Sequence, residues 1–150
     1  MLNDKDLERY ARQAIMPAVG EDGQEKLLAA RVLVVGAGGL GAPVILYLAA
    51  AGIGTITIID DDNISRSDLN RQIIYRDIDV GSSKSYHAAN AASALNPNIN
   101  VSQFAVRLNG GNVEQLVTSH DVVIDCTDNA GTRYLIGDAA HHCGRPLVFG

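Results

Sequence analysis

Cysteine is scarce in this chain. Its two cysteines, Cys126 and Cys143, cannot build a disulfide framework. They stand too far apart for a Cys-x-x-Cys metal pair. Basic clusters are missing as well. The 12 Lys and Arg are scattered among 17 Asp and Glu, and the formal net charge is -5. That balance removes the electrostatic footprint of nucleic-acid binding and suits a basic partner better. No charged-then-apolar leader opens the sequence, so the expectation is a protein of the reducing cytoplasm. Internal repeats, low-complexity tracts and a disordered tail are absent too. Charge disappears altogether between residues 40 and 59, the length of a membrane span. Three features exclude that reading. Gly52-Ile53-Gly54 breaks the run, Pro43 sits where a first helical turn tolerates it, and the second half is β-branched. It reads as helix, turn and strand, uncharged because both pieces are buried in an α/β domain.

A chain of 150 residues buries about 70% of its unfolded surface, enough for one compact domain without staples. At its centre stands Gly36-Ala37-Gly38-Gly39-Leu40-Gly41, directly after the apolar run Val32-Leu33-Val34-Val35 and before a helix-compatible stretch. Glycines at the first, third and sixth places allow a tight turn, close approach of backbone N–H groups to phosphate, and close helix-on-strand packing. An anion would sit at the helix N-terminus, where unpaired N–H groups and the helix dipole favour it. The acidic residue expected about twenty positions on, to accept ribose hydroxyls, is Asp60. The combination reads as a nucleotide site, without deciding between a dinucleotide and ATP.

The remaining pattern alternates strands and helices. Helices are expected over residues 4–13, 23–30, 40–51, 84–95, 113–119 and 131–142, and strands over 31–35, 55–60, 101–107, 122–125 and 146–149. In the second helix Leu27, Leu28 and Ala29 should face a core. A polar segment, 61–83, has only weak periodicity, and so long a loop inside a compact domain points to function. The expected fold class is therefore α/β, a Rossmann-like doubly wound, mainly parallel sheet with helices on both faces and N-terminal helices, with ligands at the carboxyl ends of the strands. A chain stopping on a strand at Phe149-Gly150 reads as truncated at its C-terminal end, residues 1–150 forming a nucleotide-binding domain.

Three groups of residues carry chemistry. The polar segment holds Asp60-Asp61-Asp62, then Ser67-Asp68-Leu69-Asn70-Arg71-Gln72, and closes on Gly81-Ser82-Ser83-Lys84. Acid for ribose and base for phosphate is the natural division, with Arg71 able to fork onto two phosphate oxygens and Lys84 acting as a movable point charge. A second group, Asp125-Cys126-Thr127-Asp128-Asn129, ends a later strand. Asp128 there suits either magnesium, held by one or two carboxylates plus phosphates, or the N-cap of the next helix. The third, Arg9-Tyr10-Ala11-Arg12-Gln13, puts Arg9 and Arg12 on one helical face, by itself an ordinary surface pattern.

In this order, Arg9 to Gln13, Gly36 to Gly41, Asp60 with Asp62, Ser67 to Gln72, Gly81 to Lys84 and Cys126 to Asn129 resemble the MoeB and ThiF family of adenylating proteins, relatives of the ubiquitin-activating enzymes, over the whole chain. The resemblance implies ATP- and magnesium-dependent adenylation of the C-terminal glycine carboxylate of a ubiquitin-like sulfur-carrier protein ending in Gly-Gly, for molybdopterin or thiamine synthesis, in a homodimer. It implies that Gly36, Gly38, Gly39 and Gly41 form the nucleotide loop and that Asp60 holds the ribose. By the same resemblance Ser67, Asp68, Leu69, Asn70, Arg71 and Lys84 surround the phosphates, Asp128 and Asn129 contact nucleotide or metal, and Arg12 reaches into the partner subunit's site. Arg12, Arg71, Lys84 and Asp128 are thus the implied catalytic residues. Two departures stand out. Asp68 occupies a position that is commonly Asn in the family, placing another negative charge beside the phosphates. The family's zinc site of paired cysteines has no ligands in this chain, because Cys126 and Cys143 form no pair and the neighbours His141 and His142 point different ways on a helix.

Two other readings compete. An NAD-dependent oxidoreductase accounts for the glycine loop and Asp60 but leaves Arg71, Lys84 and Asp128 unused; preference for NAD over magnesium-ATP would favour it. A non-catalytic carrier-binding fragment would bind the carrier without forming adenylate. No membrane partner and no nucleic acid are expected, and the acidic balance gives the family's tRNA-modifying branch little support.

Overall fold

The structure, a computed structural model, describes residues 2–150. Five parallel strands, β1 (Arg31–Val35), β2 (Thr55–Ile59), β3 (Asn100–Phe104), β4 (Val122–Asp125) and β5 (Leu147–Phe149), form one sheet in the order β3-β2-β1-β4-β5. β1 is central, pairing Val34 with Ile58 of β2 and with Ile124 of β4. Alternation along β1 sends Val32 and Val34 to one face and Leu33 and Val35 to the other. On the first face Ala42, Ile45 and Ala49 of α3 (Gly41–Ala51) and Ala88, Ala89 and Ala92 of α4 (Lys84–Leu95) complete a core. On the second, Val113 and Val117 of α5 (Val113–Thr118) and Ile136, Ala139 and Ala140 of α6 (Ala130–His142) do so. The doubly wound architecture read from the sequence is the one observed.

The strand order reverses between β1 and β4. Chains leaving β1 and β4 at their carboxyl ends therefore diverge to opposite sides and open a crevice at that edge, where doubly wound sheets take ligands. At the other end lie α1 (Asp4–Ala14) and α2 (Gly20–Ala29). Asn3 caps α1 in a reciprocal box with Asp6. Tyr10 is buried, its hydroxyl accepting from Asn96 Nδ2 at 2.8 Å, while Gln13 and Gln24 both donate to Ala51 O at the last turn of α3. Since α3 is 11 residues long, its N-terminal end at the crevice and this anchor are about 16 Å apart.

Several boundaries differ from the sequence reading. α2 begins at Gly20, three residues early, and its buried member is Gln24, whereas Ala29 is exposed. The hydrogen-bonded anchor at Ala51, rather than apolar periodicity, decides which face of α2 turns inward. β2 ends at Ile59 and β3 at Phe104, leaving Asp60 and Arg107 beyond the sheet. The polar segment contains two single 3-10 turns, Arg66–Asp68 and Asp77–Asp79, and an antiparallel bridge between Asn63 and Ser83 closes it.

Candidate active site

The glycine loop is built by steric exclusion. Gly36 has φ +93°, and a Cβ there would stand 2.8 Å from Cys126 O. A Cβ on Gly41 would meet the carbonyl of Gly36 head-on, so α3 starts against the backbone that feeds it. Gly38 and Gly39 are different: a Cβ on either would make only ordinary contacts, 3.7 Å from Gln72 Nε2 and from Arg71 Cγ. Their bareness serves no packing and leaves backbone open to the crevice.

Asp60, just past β2, secures the loop from the side. Its Oδ2 accepts from Ala37 N at 2.7 Å and its Oδ1 from Asp62 N at 2.8 Å. Burial raises its pKa against the opposing pull of these two N–H donors and of Lys84. Tyr75 ties the same loop to α4, its buried hydroxyl donating to Ala37 O (2.6 Å) and lying 3.2 Å from Lys84 O.

The two cations expected at the phosphates, Lys84 and Arg71, are already partnered. Lys84 opens α4 with its side chain nearly buried and its Nζ 3.0 Å from Asp62 and 3.7 Å from Asp68. Burial opposes the charge, but the hydrogen bond to Asp62 and the charges of Asp62, Asp60 and Asp68 outweigh it and hold the ammonium above its ordinary pKa. Arg71 donates to Ser67 O (3.0 Å) and Asn70 Oδ1 (3.1 Å), with Nη2 3.6 Å from Asp68. Asp68 is 8% exposed, its Oδ2 accepting from Ser65 N at 2.9 Å and its Oδ1 from Gln72 Nε2 at 3.2 Å. The Ser65 N–H is the main reason its carboxyl lies below the usual range.

Across the crevice the loop after β4 is held at Thr127. Asp125 Oδ1 accepts from Thr127 N (2.9 Å) and Oγ1 (2.7 Å), and Arg133 donates twice to Thr127 O. The helix cap that the sequence left open between ligand and N-cap goes to Asn129, whose Oδ1 accepts from Thr132 N at 2.9 Å. Asp128 is exposed and has no hydrogen bond or ion pair among the described residues. A hard oxygen donor without a protein partner, lining the same crevice as Lys84 and Arg71, fits a magnesium ligand.

These parts enclose a cavity of about 670 Å³, within the range of nucleotide-sized sites. Among the sequence-chosen residues, Gly36, Gly38, Gly39, Asp60, Asp68, Arg71, Lys84, Asp128 and Asn129 line it. Gly41 lies behind the loop. Ser67 and Asn70 stand on the rim as acceptors for Arg71, and Leu69 packs against the first core. Arg12 is exposed on α1, and Arg9 beside it is committed to Leu95 O. The sequence reading passed over Arg107 and Thr132, which also line the cavity. Arg107 was counted within a strand; its place after β3, at the carboxyl edge, was the available signal. Cys126 is in the lining too, but burial pushes its thiol up to about 11, which leaves it a poor nucleophile at neutral pH.

A glycine loop at the switch point of a doubly wound sheet, faced by Arg71, Lys84, Arg107 and a free carboxylate, defines a Rossmann-like protein with an anion-receiving crevice. The chain belongs to the ThiF family, whose sequence profile matches residues 10–150. It is 48% identical over 149 residues to the SAMP-activating enzyme E1 of Haloferax volcanii, covering 99% of this chain and 55% of that one. It is 47% identical over 146 residues to the sulfur carrier protein adenylyltransferase of Thermus thermophilus, covering 97% and 54%. Among solved structures, the tRNA N6-threonylcarbamoyladenosine dehydratase of E. coli in complex with ATP superposes with TM-score 0.92 at 29% identity, covering 99% of this chain and 61% of that one, and an AMP complex of the same protein matches equally well. The chain thus spans about half the length of the curated relatives it matches.

Proposed function

We propose that residues 1–150 are the nucleotide-binding adenylation domain of an enzyme that activates the C-terminal glycine of a ubiquitin-like sulfur-carrier protein with ATP, of the kind that supplies molybdopterin or thiamine synthesis. One observation carries this reading. A single crevice sets bare glycine backbone, Lys84 and Arg71 opposite an unpartnered Asp128. Such a site is suited to positioning anions and spreading their charge, a task that calls on no general base.

That is what carboxylate adenylation requires. An α-carboxyl has a pKa of about 3.3–3.7, so the carrier's terminal glycine arrives ionised. Its oxygen attacks the α-phosphorus; a new O–P bond forms as the bond to the bridging oxygen breaks, and that electron pair leaves with pyrophosphate. No proton has to move. Gly38 and Gly39 offer backbone to the phosphates, Asp60 keeps lone pairs for the ribose, and Arg71 and Lys84 take up the charge of the leaving group. Asp128, with Asn129 fixing the backbone next to it, is the residue that would hold magnesium. The metal, when bound, neutralises phosphate charge. Arg12, exposed on the end of the molecule away from its own cavity, would serve a partner subunit in a homodimer, and exposed Tyr47, Ile73 and Ile78 are apolar surface for such contacts.

The carrier-type reading is supported over tRNA modification by relatives at 47–48% identity against 29%, and by the net charge of -5. A nicotinamide reading leaves Lys84, Arg71 and Asp128 without a task. No helix among the described residues is long and apolar enough to cross a membrane. Incubation of the protein with magnesium-ATP and a carrier ending in Gly-Gly should yield carrier heavier by one AMP in the mass spectrum, and a carrier lacking the last glycine should not. Tight binding of NAD with no such product would sink the proposal.

A further inference from the structure

The cavity wall carries five carboxylates, Asp60, Asp61, Asp62, Asp68 and Asp128, against three cations, Arg71, Lys84 and Arg107. A triphosphate entering it meets a wall of its own sign. Among the five, Asp68 is singular. It is the carboxylate that touches both cations assigned to the phosphates, 3.6 Å from Arg71 Nη2 and 3.7 Å from Lys84 Nζ. It is also nearly buried, and two donors, Ser65 N and Gln72 Nε2, hold it where it is. It cannot swing away when phosphate arrives. Asp62, its partner in binding Lys84, is 68% exposed in its side chain and free to move.

We infer that Asp68 is a specificity-determining residue which, as a fixed internal counter-ion of Lys84 and Arg71, makes the site discriminate against metal-free triphosphate and accept the nucleotide as its divalent-metal complex. This rests on the nucleotide reading above. An amide at this position could still accept the Ser65 N–H, though without the charge that strengthens that bond, so the turn can form without the carboxylate; what the carboxylate adds for an incoming phosphate is its charge. A phosphate oxygen hydrogen-bonded to Lys84 Nζ would stand within about 6.5 Å of the Asp68 carboxylate, adding an N–H···O reach of about 2.8 Å to the ion-pair distance. At that separation one unit charge changes affinity by roughly threefold in a water-like medium and about seventyfold at an effective dielectric of 20. Metal-free ATP, with about twice the charge of its magnesium complex, suffers more.

The test is calorimetric titration of the whole protein with ATP in EDTA and with ATP in excess magnesium, for wild type, Asp68→Asn, Asp68→Ser and the control Asp61→Asn. Asp61 lines the cavity without pairing with either cation. Removing the Asp68 charge should tighten metal-free ATP about tenfold and magnesium-ATP by distinctly less, so that the ratio of the two dissociation constants narrows; Asp61→Asn should move it little. An unchanged ratio, or weaker binding of both forms because Lys84 and Arg71 have lost their positioning partner, overturns the inference while leaving the nucleotide site in place. Absence of binding to any form in any protein overturns the nucleotide reading itself.

Discussion

Replacing Gly36 and Gly39 one at a time by alanine separates what the loop does for the fold from what it does for the ligand. At Gly36 the residue must keep φ +93°, and its new methyl would stand 2.8 Å from the carbonyl oxygen and 2.9 Å from the carbonyl carbon of Cys126, backbone atoms with no freedom to turn aside. A left-handed backbone costs a non-glycine residue roughly 1–2 kcal/mol, and overpacking adds about 1–3 kcal/mol. For a chain of this size the sum corresponds to a Tm lower by roughly 4–20 °C. At Gly39 no positive φ is required and the nearest atoms would be the flexible side chain of Arg71 at 3.7–3.8 Å. Stability should stay within about 0.5 kcal/mol of wild type. The methyl would nevertheless occupy the space where phosphate approaches the backbone. Thermal melts with and without magnesium-ATP distinguish the two. Ligand at one hundred times its dissociation constant should raise wild-type Tm by roughly 5–10 °C. Gly39→Ala should melt like wild type alone and lose most of that rise, whereas Gly36→Ala should melt early in either condition. If Gly39→Ala melts as low as Gly36→Ala, or retains the full rise, the division of labour within the loop is wrong.

Three further outcomes are expected. Arg71→Ala and Lys84→Ala should each slow adenylate formation on the order of 100- to 1000-fold, the usual loss for one donor to developing charge; near-wild-type single-turnover rates would remove both assignments. Asp128→Ala, which breaks no contact among the described residues, should keep the wild-type melting curve while losing magnesium-dependent activity, whereas Asn129→Ala should cost about 1 kcal/mol in urea unfolding as a lost helix cap. Asp68 has a folded-state pKa below its ordinary 3.8, so it contributes stability above that pH which is lost as the pH falls through the folded value; the urea midpoints of wild type and Asp68→Asn should therefore differ at about pH 7 and converge in acid.

Much of the architecture was legible because periodicity reports burial directly. The strands β1 and β2, buried on both faces, and the small residues of α3 and α4 could pack in few other ways, and the glycine loop between them located the crevice. What escaped the sequence lay in polar contacts that periodicity does not register. Gln24 buries itself through a shared acceptor at Ala51, Tyr75 staples the glycine loop to Lys84, and the long segment after Asp60 is ordered by single turns and by Asp68 rather than by an apolar face. Asp128 and Asn129 were equivalent as sequence, both good caps; only the hydrogen bond from Thr132 N to Asn129 separates cap from free carboxylate. Asp68, legible only as an anomaly among phosphate-binding residues, acquires a role once its distances to Lys84 and Arg71 are known.

ATP–pyrophosphate exchange with magnesium, in the presence and absence of a sulfur-carrier protein ending in Gly-Gly, tests reversible adenylation itself. Exchange should appear with the intact carrier, vanish when the terminal glycine is removed, and fall at least a hundredfold in Lys84→Ala, within the loss expected for one such donor. Exchange that proceeds equally without the carrier, or that survives loss of Lys84, would contradict the chemistry assigned to this crevice.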